Sequence, residues 1–148
     1  MQIKNTNQSV LKANVKDLEQ IYELLEEFNL PVIGINDHIE NFYFMKVRGQ
    51  VVGVVGLEIY ENIGLLRSLA VKSSYQGNKI GHKLVDHMID YAKNIPLDRI
   101  YLFTETADTW FERFGFFRIQ TEELNPLLKR SQEFTLCSQS VRMLKSLS

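Results

Sequence analysis

The segment from Tyr75 to Leu84 has the residue types of an anion-binding turn. It contains Gly77 and Gly81, and it joins a short apolar strand, Leu65 to Val71, to an apolar-periodic segment that opens at Ile80. Such a turn gathers backbone N–H groups, and the first helical turn adds N–H groups that have no partner inside the helix. The chemistry expected of this arrangement is the binding of a phosphate.

The segment after the turn predicts an amphipathic helix that ends before Pro96. Lys83, Asp86 and Asp90 lie opposite an apolar face with three- to four-residue spacing. That face consists of Ile80, Leu84, Val85, Met88, Ile89 and Ala92. The turn lacks both standard nucleotide signatures, GxxxxGK[ST] and GxGxxG, so on its own it is also compatible with a plain strand-to-helix connection.

The turn resembles the pyrophosphate-binding turn of the GCN5-related N-acetyltransferases, whose pattern is Gln/Arg-x-x-Gly-x-Gly/Ala. Gln76, Ile80 and Gly81 fit that pattern. Lys79 stands where the family usually has its middle glycine, so its backbone must tolerate the angles of the turn. Its ammonium group would add charge near a phosphate.

A second segment strengthens the resemblance. Ile100 to Thr104 reads as a buried strand, Thr106 to Phe114 as a short helix stopped by Gly115, and Phe116 to Ile119 as a returning strand. The same place in the family carries an Ala-x-x-Phe-Tyr-x-x-x-Gly-Phe motif. It is matched in order by Ala107, Trp110, Phe111, Gly115 and Phe116.

Composition predicts one compact domain over residues 1–148, with 45% hydrophobic and 24% charged residues. The net charge of −1 favours neither a nucleic-acid nor a membrane partner. A single cysteine excludes an internal disulfide and favours a reducing compartment, so we expect a cytoplasmic protein. No stretch of 18 apolar residues occurs, and the polar Met1 to Asn7 does not read as a signal peptide.

The order of elements predicts an α/β fold with a mixed sheet and helices on both faces. Ser9 to Lys12 reads as a short strand, Leu18 to Phe28 as a helix, and Phe42 to Val47 with Val51 to Ile59 as a hairpin turning at Arg48-Gly49. The resemblance implies the acetyltransferase fold, a twisted sheet splayed between its fourth and fifth strands. Those strands would be Leu65–Val71 and Ile100–Thr104, with the thioester arm of acetyl-CoA in the gap.

Within the family, the chain looks like the amino-acid N-acetyltransferases related to the acetyltransferase domain of N-acetylglutamate synthase. It looks most like those associated with arsenic resistance, and the similarity runs from about Leu30 to Met143. It is carried by Leu65 to Val71, Thr104 to Ala107, Trp110 to Phe116, and the tail from Glu133 to Cys137 and on to Met143. The resemblance also implies a homodimer in which the final strands pair.

The resemblance implies a cofactor site for acetyl-CoA. Backbone groups of Leu69, Ala70 and Val71 would pair with the pantetheine arm as an added strand does. The pyrophosphate would lie against the backbone of the turn, and two aromatic side chains would complete the site. These residues are Gln76, Gly77, Asn78, Lys79, Ile80, Gly81 and His82, with Trp110 and Phe111.

Arg67 is the candidate for binding the acceptor, because it places a charge on an otherwise apolar strand. If Leu65, Leu69 and Val71 share one face, strand alternation puts Arg67 there too. Arginine suits a bidentate grip on a carboxylate, which an amino-acid acceptor carries beside its amine. The alternative is a structural pair with Glu58 or Glu105. Ser68, Thr104 and Thr106 complete the predicted acceptor site.

Catalysis requires an uncharged amine that attacks the thioester directly in a ternary complex. Glu58 and Glu105 are the candidate bases, since each ends or follows a strand near the splay.

Phe111 stands where many family members carry a tyrosine that protonates the leaving thiolate, and it has no hydroxyl. Cys137 has no base beside it in sequence and is expected to be a buried structural thiol. His82 and His87 lack metal-ligand spacing, so no metal is assigned.

The function predicted is therefore acetyl transfer from acetyl-CoA to the amine of a small amino acid or analogue. A second hypothesis is a CoA-binding sensor or partner module without turnover, which Lys79 and Phe111 favour. A third is acetylation of protein or peptide amines. Arg67 and the Thr104-Glu105-Thr106 cluster favour the first hypothesis, because a pure CoA binder needs no acceptor site.

Overall fold

The computed structural model describes residues 9–137 and 139–147, and Met1 to Asn7, for which no signal peptide is predicted, lies outside that range. A seven-stranded sheet forms the centre, in the order β1-β2-β3-β4-β5-β7-β6. Its strands are β1 Leu11–Lys12, β2 Phe42–Val47, β3 Gln50–Tyr60, β4 Ile63–Val71, β5 Arg99–Thr104, β6 Phe117–Ile119 and β7 Val141–Ser146. The helices are α1 Leu18–Glu27, α2 Ile80–Asn94, α3 Asp108–Glu112 and α4 Gln132–Leu136.

The sheet is mixed, as the order of elements predicts. The β4 and β5 strands are parallel, and the remaining pairs are antiparallel. The α2 helix covers one face with Leu84 and Met88, and α1 packs on the opposite face with Ile21 and Leu25. The predicted α/β fold with helices on both faces is therefore confirmed.

The predicted elements recur with small shifts at their ends. The first helix is preceded by a short 3₁₀ turn, Val15–Asp17, which Asn14 and Asp17 close with a capping box. The helix predicted over Thr106 to Phe114 is shorter, because α3 ends at Glu112 and Gly115 follows at φ +91°. Gly115 adopts that left-handed angle as the predicted helix stop requires.

The strand β7 is the element that the predicted order lacks. It inserts between β5 and β6, pairing Leu102 with Met143 on one side and Arg118 with Met143 on the other. Both edges of β7 therefore pair with other strands of the same chain. A homodimer joined through the final strands stays a prediction.

Among residues 9–137 and 139–147, no helix has the length and apolar character needed to cross a membrane.

Candidate functional site

The strands β4 and β5 separate half-way along their length. They pair from Ile63 with Arg99 to Leu66 with Leu102, and β4 then continues to Val71 without this partner. The predicted splay therefore lies where the resemblance placed it. A cleft of about 1180 Å³ occupies the gap, and the edge of β4 beyond Leu66 faces into it.

A β-bulge interrupts β4 at the mouth of this fork. Val54 pairs with Ala70 but Gly56 pairs with Arg67, so β4 carries one extra residue, and Ser68 takes a left-handed φ of +62°. A bulge of this kind reverses the alternation of side chains beyond it. The premise that Leu65, Leu69 and Val71 share one face is therefore wrong.

Packing shows the reversal directly. Leu65 lies in the core beneath the chain's C-terminal segments, together with Tyr101 and Leu128. Leu69 and Val71 pack against the core under α2 instead. The guanidinium of Arg67, which precedes the bulge, reaches Glu133 of α4.

The turn before α2 has the backbone angles of an anion cradle. Gly77 lies at φ +88°, and Lys79 caps the helix at φ +63°, ψ +20° with no side-chain capping hydrogen bond. The lysine thus adopts the angle at which the family usually places glycine, at a cost of roughly 1–2 kcal/mol. The N–H groups of Ile80 to His82 have no intrahelical acceptor and are free to bind an anion.

Side chains fix this turn against the end of β4. The amide of Gln76 donates from Nε2 to the carbonyl oxygen of Val71 at 2.9 Å. Asn78 donates from Nδ2 back to the carbonyl of Tyr75 at 3.4 Å. Gln76 therefore has a structural role, which adds to the backbone role predicted for it.

Aromatic rings form the wall opposite the turn. Trp110 stacks edge-on against His82 and Phe111 at centroid distances of 5.5 and 5.0 Å. A Cβ added at Gly81 would lie 3.5 Å from the Trp110 ring and 3.7 Å from Val71. Because Gly81 has no side chain, the backbone of α2 can lie close to the cleft at this position.

The cleft gathers the predicted site residues with two exceptions, Asn78 and Glu58, which do not line it. The predicted cofactor residues at its wall are Leu69, Ala70, Val71, Gln76, Gly77, Lys79, Ile80, Gly81, His82, Trp110 and Phe111. The predicted acceptor-side residues at its wall are Arg67, Ser68, Thr104, Glu105 and Thr106.

Arg67 is buried, and its N–H groups already have acceptors. Nε donates to Ser68 Oγ at 2.8 Å. One terminal nitrogen donates to Glu58 Oε2 at 2.7 Å and to the carbonyl of Ile33 at 2.9 Å, and the other donates to the carbonyl of Pro31 at 3.1 Å. The pairing with Glu58, one of two alternatives predicted from the sequence, is thus present.

Glu58 lies behind Arg67 and is 1% exposed. Its other oxygen accepts a 2.5 Å hydrogen bond from the Tyr60 hydroxyl. Burial pushes its pKa upward, but hydrogen bonds from Ser131, Tyr60 and Arg67, together with the Arg67 charge, bring the pKa below its ordinary value. Glu58 is therefore a fixed counter-ion.

Glu133 is the functional candidate that sequence reasoning missed. It lies in the first turn of α4, is 6% exposed and lines the cleft, with Oε2 at 3.4 Å from the second terminal nitrogen of Arg67. Burial raises its pKa from 4.5 to about 6, against the lowering effect of Arg67. A buried arginine on an apolar strand is the signal that would have prompted a search for more than one carboxylate.

The hydroxyls and the thiol near the acceptor end have local roles. Ser68 accepts from Arg67, and Thr104 Oγ1 accepts from the backbone N–H of Ala107 at 3.0 Å. Cys137 lines the cleft, but burial and then the Glu133 charge raise its pKa to about 11. The protonated thiol is a poor nucleophile.

Within the described part of the chain, no group of three or more His, Cys, Asp or Glu side chains is placed to hold a metal ion.

The forked parallel strand pair and the helix N-terminus at its mouth together form the cleft of the candidate site. The acetyltransferase (GNAT) family model matches residues 8–116. The chain belongs to this family.

Curated relatives point in the same direction. An amino-acid acetyltransferase of Mycobacterium tuberculosis is 29% identical over 106 residues, which is 71% of this chain and 54% of that protein. One from Neisseria meningitidis is 27% identical over 92 residues, covering 61% of this chain and 21% of that protein. The chain thus spans about half of the first relative and about a fifth of the second.

Solved structures share the fold. An N-acetylglutamate synthase from Neisseria gonorrhoeae, complexed with coenzyme A and N-acetyl-glutamate, has a TM-score of 0.83 at 25% identity and covers 98% of this chain and 36% of its own. A Mycobacterium tuberculosis protein in complex with CoA has a TM-score of 0.80 at 20% identity and covers 95% of this chain and 99% of its own.

Proposed function

We propose that this chain transfers the acetyl group of acetyl-CoA to the amine of a small amino acid or amino-acid analogue. The observation that carries the proposal is that one cleft contains a free strand edge, a helix N-terminus and a buried charged cluster. The first two features suit the cofactor, and the charged cluster suits a polar acceptor.

The residues at the cleft fit acetyl-CoA. The unpaired edge of β4 at Leu69 to Val71 offers amides to the pantetheine arm. The left-handed backbone at Gly77 and Lys79 turns N–H groups toward a pyrophosphate. When bound, acetyl-CoA supplies the activated acetyl group, and the protein holds its thioester in the fork beside the acceptor.

The acceptor end carries the proposed contact between Arg67 and a substrate carboxylate. Because every N–H of Arg67 faces an acceptor, a substrate must replace one of them. The contact with Glu133, at 3.4 Å, is longer than the 2.7 Å pair with Glu58. A substrate carboxylate would therefore exchange with Glu133, while Glu58 keeps the guanidinium in place.

Several relatives support the acceptor class by name, as amino-acid acetyltransferases. Of the two carboxylates predicted as proton acceptors, Glu105 is exposed at the rim and stays a prediction, whereas Glu58 lies behind Arg67 as its counter-ion. A link to arsenic resistance also stays a prediction.

The proposed transfer is direct. The Cys137 thiol is held protonated, and Phe111, 7% exposed beside Trp110, offers no hydroxyl. The amine would attack the thioester carbon within a ternary complex, and the CoA thiolate would take its proton from the attacking nitrogen. Positioning of the two substrates supplies most of the rate.

A thiol-release screen tests the proposal. The full chain is incubated with acetyl-CoA and each free amino acid, with arsenic- and phosphorus-containing analogues and with short peptides, and free CoA thiol is measured. We expect release with at least one small amino acid above the rate of acetyl-CoA hydrolysis. CoA binding by calorimetry without release for any acceptor would favour the sensor hypothesis, and release with peptides alone would favour protein acetylation.

A further inference from the structure

Three carboxylates lie near the acceptor end of the cleft, and their surroundings differ. Glu58 is buried behind Arg67, Glu105 is exposed on the rim, and Glu133 is buried yet lines the cleft. A base for an amine needs access to it and a pKa not far from the working pH. When their environments give neighbouring carboxyl groups different pKa values, those groups take different roles in acid–base catalysis.

Glu58 fails this requirement. Both of its oxygens are engaged, one with the Tyr60 hydroxyl and one with Arg67. These partners stabilise its ionised form and leave no open oxygen toward the cleft. Its role is to hold Arg67, which makes it a positioning residue.

Glu133 meets the requirement. Its distance of 3.4 Å from Arg67 exceeds the about 2.7–2.9 Å of a direct charge-assisted hydrogen bond. The carboxylate is therefore held only loosely by the guanidinium, and a substrate carboxylate that takes its place on Arg67 frees it to face the ammonium of the same substrate. Its pKa of about 6 also makes it a better proton acceptor than an ordinary carboxylate, while it remains ionised at neutral pH.

The charged groups facing Glu133 come from every element packed around it. Arg67 of β4 is the positive one, Glu58 of β3 adds a second negative charge, and the Cys137 thiol at the end of α4 is protonated. Glu105 stands further out on the rim. Two carboxylates against one guanidinium leave an excess negative charge, which favours an ammonium at this end of the cleft.

We propose that Glu133 is the catalytic carboxylate that takes a proton from the acceptor ammonium, with the Glu58–Arg67 pair as its support. This assignment rests on the proposed function and deepens it. The acceptor is then an aliphatic amine that arrives protonated. Aromatic amines and hydroxylamine, which are uncharged at neutral pH, do not need the base.

The proton balance is complete without another reactant. One ammonium N–H bond breaks as an O–H bond forms on Glu133, and the free amine attacks the thioester carbon. The C–N bond forms, the C–S bond breaks, and a second nitrogen proton leaves with the thiolate sulfur to give CoA thiol. Glu133 then releases its proton to solvent.

The test compares two acceptors that differ in their need for a base. Acetyl transfer to L-glutamate, or to the free amino acid with the highest rate in the screen, is measured beside transfer to hydroxylamine from pH 7 to 9, where hydroxylamine is uncharged. The variants are Glu133→Gln and Glu133→Asp, with Glu122→Gln as a matched exposed control outside the cleft. CoA affinity of each variant is measured by calorimetry.

We expect Glu133→Gln to lower kcat/KM for the amino acid by roughly 100-fold or more, as loss of a general base does. Transfer to hydroxylamine and CoA affinity should stay within about threefold of wild type, and Glu133→Asp should recover part of the rate. Equal losses with both acceptors would overturn the assignment and make Glu133 structural. Full activity of Glu133→Gln would overturn it too, whereas a wild type inactive with every amine would overturn the proposed function itself.

Discussion

The two ends of the cleft are built from different parts of the chain. The cofactor end consists mainly of backbone groups, at the edge of β4 and at the turn from Gly77 to His82. The acceptor end consists of buried charged side chains, Glu58, Arg67 and Glu133. The first end therefore depends on backbone angles and tolerates varied side chains, as Lys79 shows, whereas the second depends on residue identity.

The largest effect on stability is expected when the buried cation, Arg67, is removed. Arg67→Met leaves Glu58 and Glu133 buried without their shared partner, and loss of one member of a buried ion pair costs about 3–5 kcal/mol. We expect the free energy of unfolding to fall by that amount in urea titrations at pH 7. The double variant Arg67→Met/Glu133→Gln should recover part of the lost free energy of unfolding, because it removes one of the two unpaired charges.

A loss of stability below about 1 kcal/mol in Arg67→Met would contradict this description of the acceptor end. Lys79→Met is the matched control at the cofactor end. It removes an exposed cation with no resolved charge partner among the described contacts, so its effect on stability should be small.

The second test uses the raised pKa of Glu133. Its pKa is 4.5 unfolded and about 6 folded, so both states are protonated below pH 4.5 and the penalty develops as the pH rises to 6 and beyond. This raised pKa removes about 2 kcal/mol of stability at neutral pH. Relative to wild type, Glu133→Gln should therefore gain about 1.5 kcal/mol between pH 4.5, where the unfolded carboxyl is already half ionised, and pH 7.5, measured by urea unfolding at both values.

A constant stability difference between wild type and Glu133→Gln across that range would show that Glu133 titrates normally. Glu122→Gln, which alters an exposed carboxylate, should show such a constant difference. A stabilising substitution at a residue proposed for catalysis is the expected signature of a site that trades stability for activity.

The third test concerns the backbone at the cofactor end. Gly81→Val places a branched side chain toward Trp110, where even a Cβ would be 3.5 Å from the ring, and crowds the approach of a phosphate to the helix N-terminus. We expect CoA affinity to fall about tenfold, or about 1.4 kcal/mol, by calorimetry. Gly81→Ala, which fits at ordinary contact distance, should lose less, and unchanged affinity in a folded Gly81→Val would refute the phosphate cradle.

The smallest effect is expected at the thiol. Cys137→Ala should keep activity within about threefold, because the raised pKa leaves little thiolate for a covalent step. Initial-rate plots against both substrates should intersect, as in a ternary complex. Parallel lines with an acetylated Cys137 in intact-mass spectra would overturn direct transfer.

The cofactor end could be predicted from the sequence because its signals are local. The apolar spacing from Ile80 to Ala92, the glycines of the turn and the strand before it all lie within one continuous segment. Strand Leu65–Val71 and its fork with the next strand followed from the same pattern and the family resemblance. The left-handed angle at Lys79 has no signal in the residue type, since lysine does not favour it, and only the family resemblance indicates that the turn requires it.

The acceptor end could be predicted only in part, because its contacts are long-range. Arg67 stood out as a charge on an apolar strand, and Glu58 was one of two partners considered for it. The bulge at Ser68 has no sequence signal, so the faces of Leu69 and Val71 were assigned wrongly. Glu133 comes from a short helix far along the chain, and only the tertiary fold brings it to Arg67.

The grip of Arg67 on the carbonyl oxygens of Pro31 and Ile33 has an evolutionary consequence. A carbonyl is present at every position whatever the side chain, so the loop at residues 29–35 can change its residues without losing its anchor. Phe28, Asn29, Leu30 and Pro31 line the cleft beside that anchor. Mutational drift in this loop could therefore retune which amine is accepted while the charged cluster and the cofactor end are inherited unchanged.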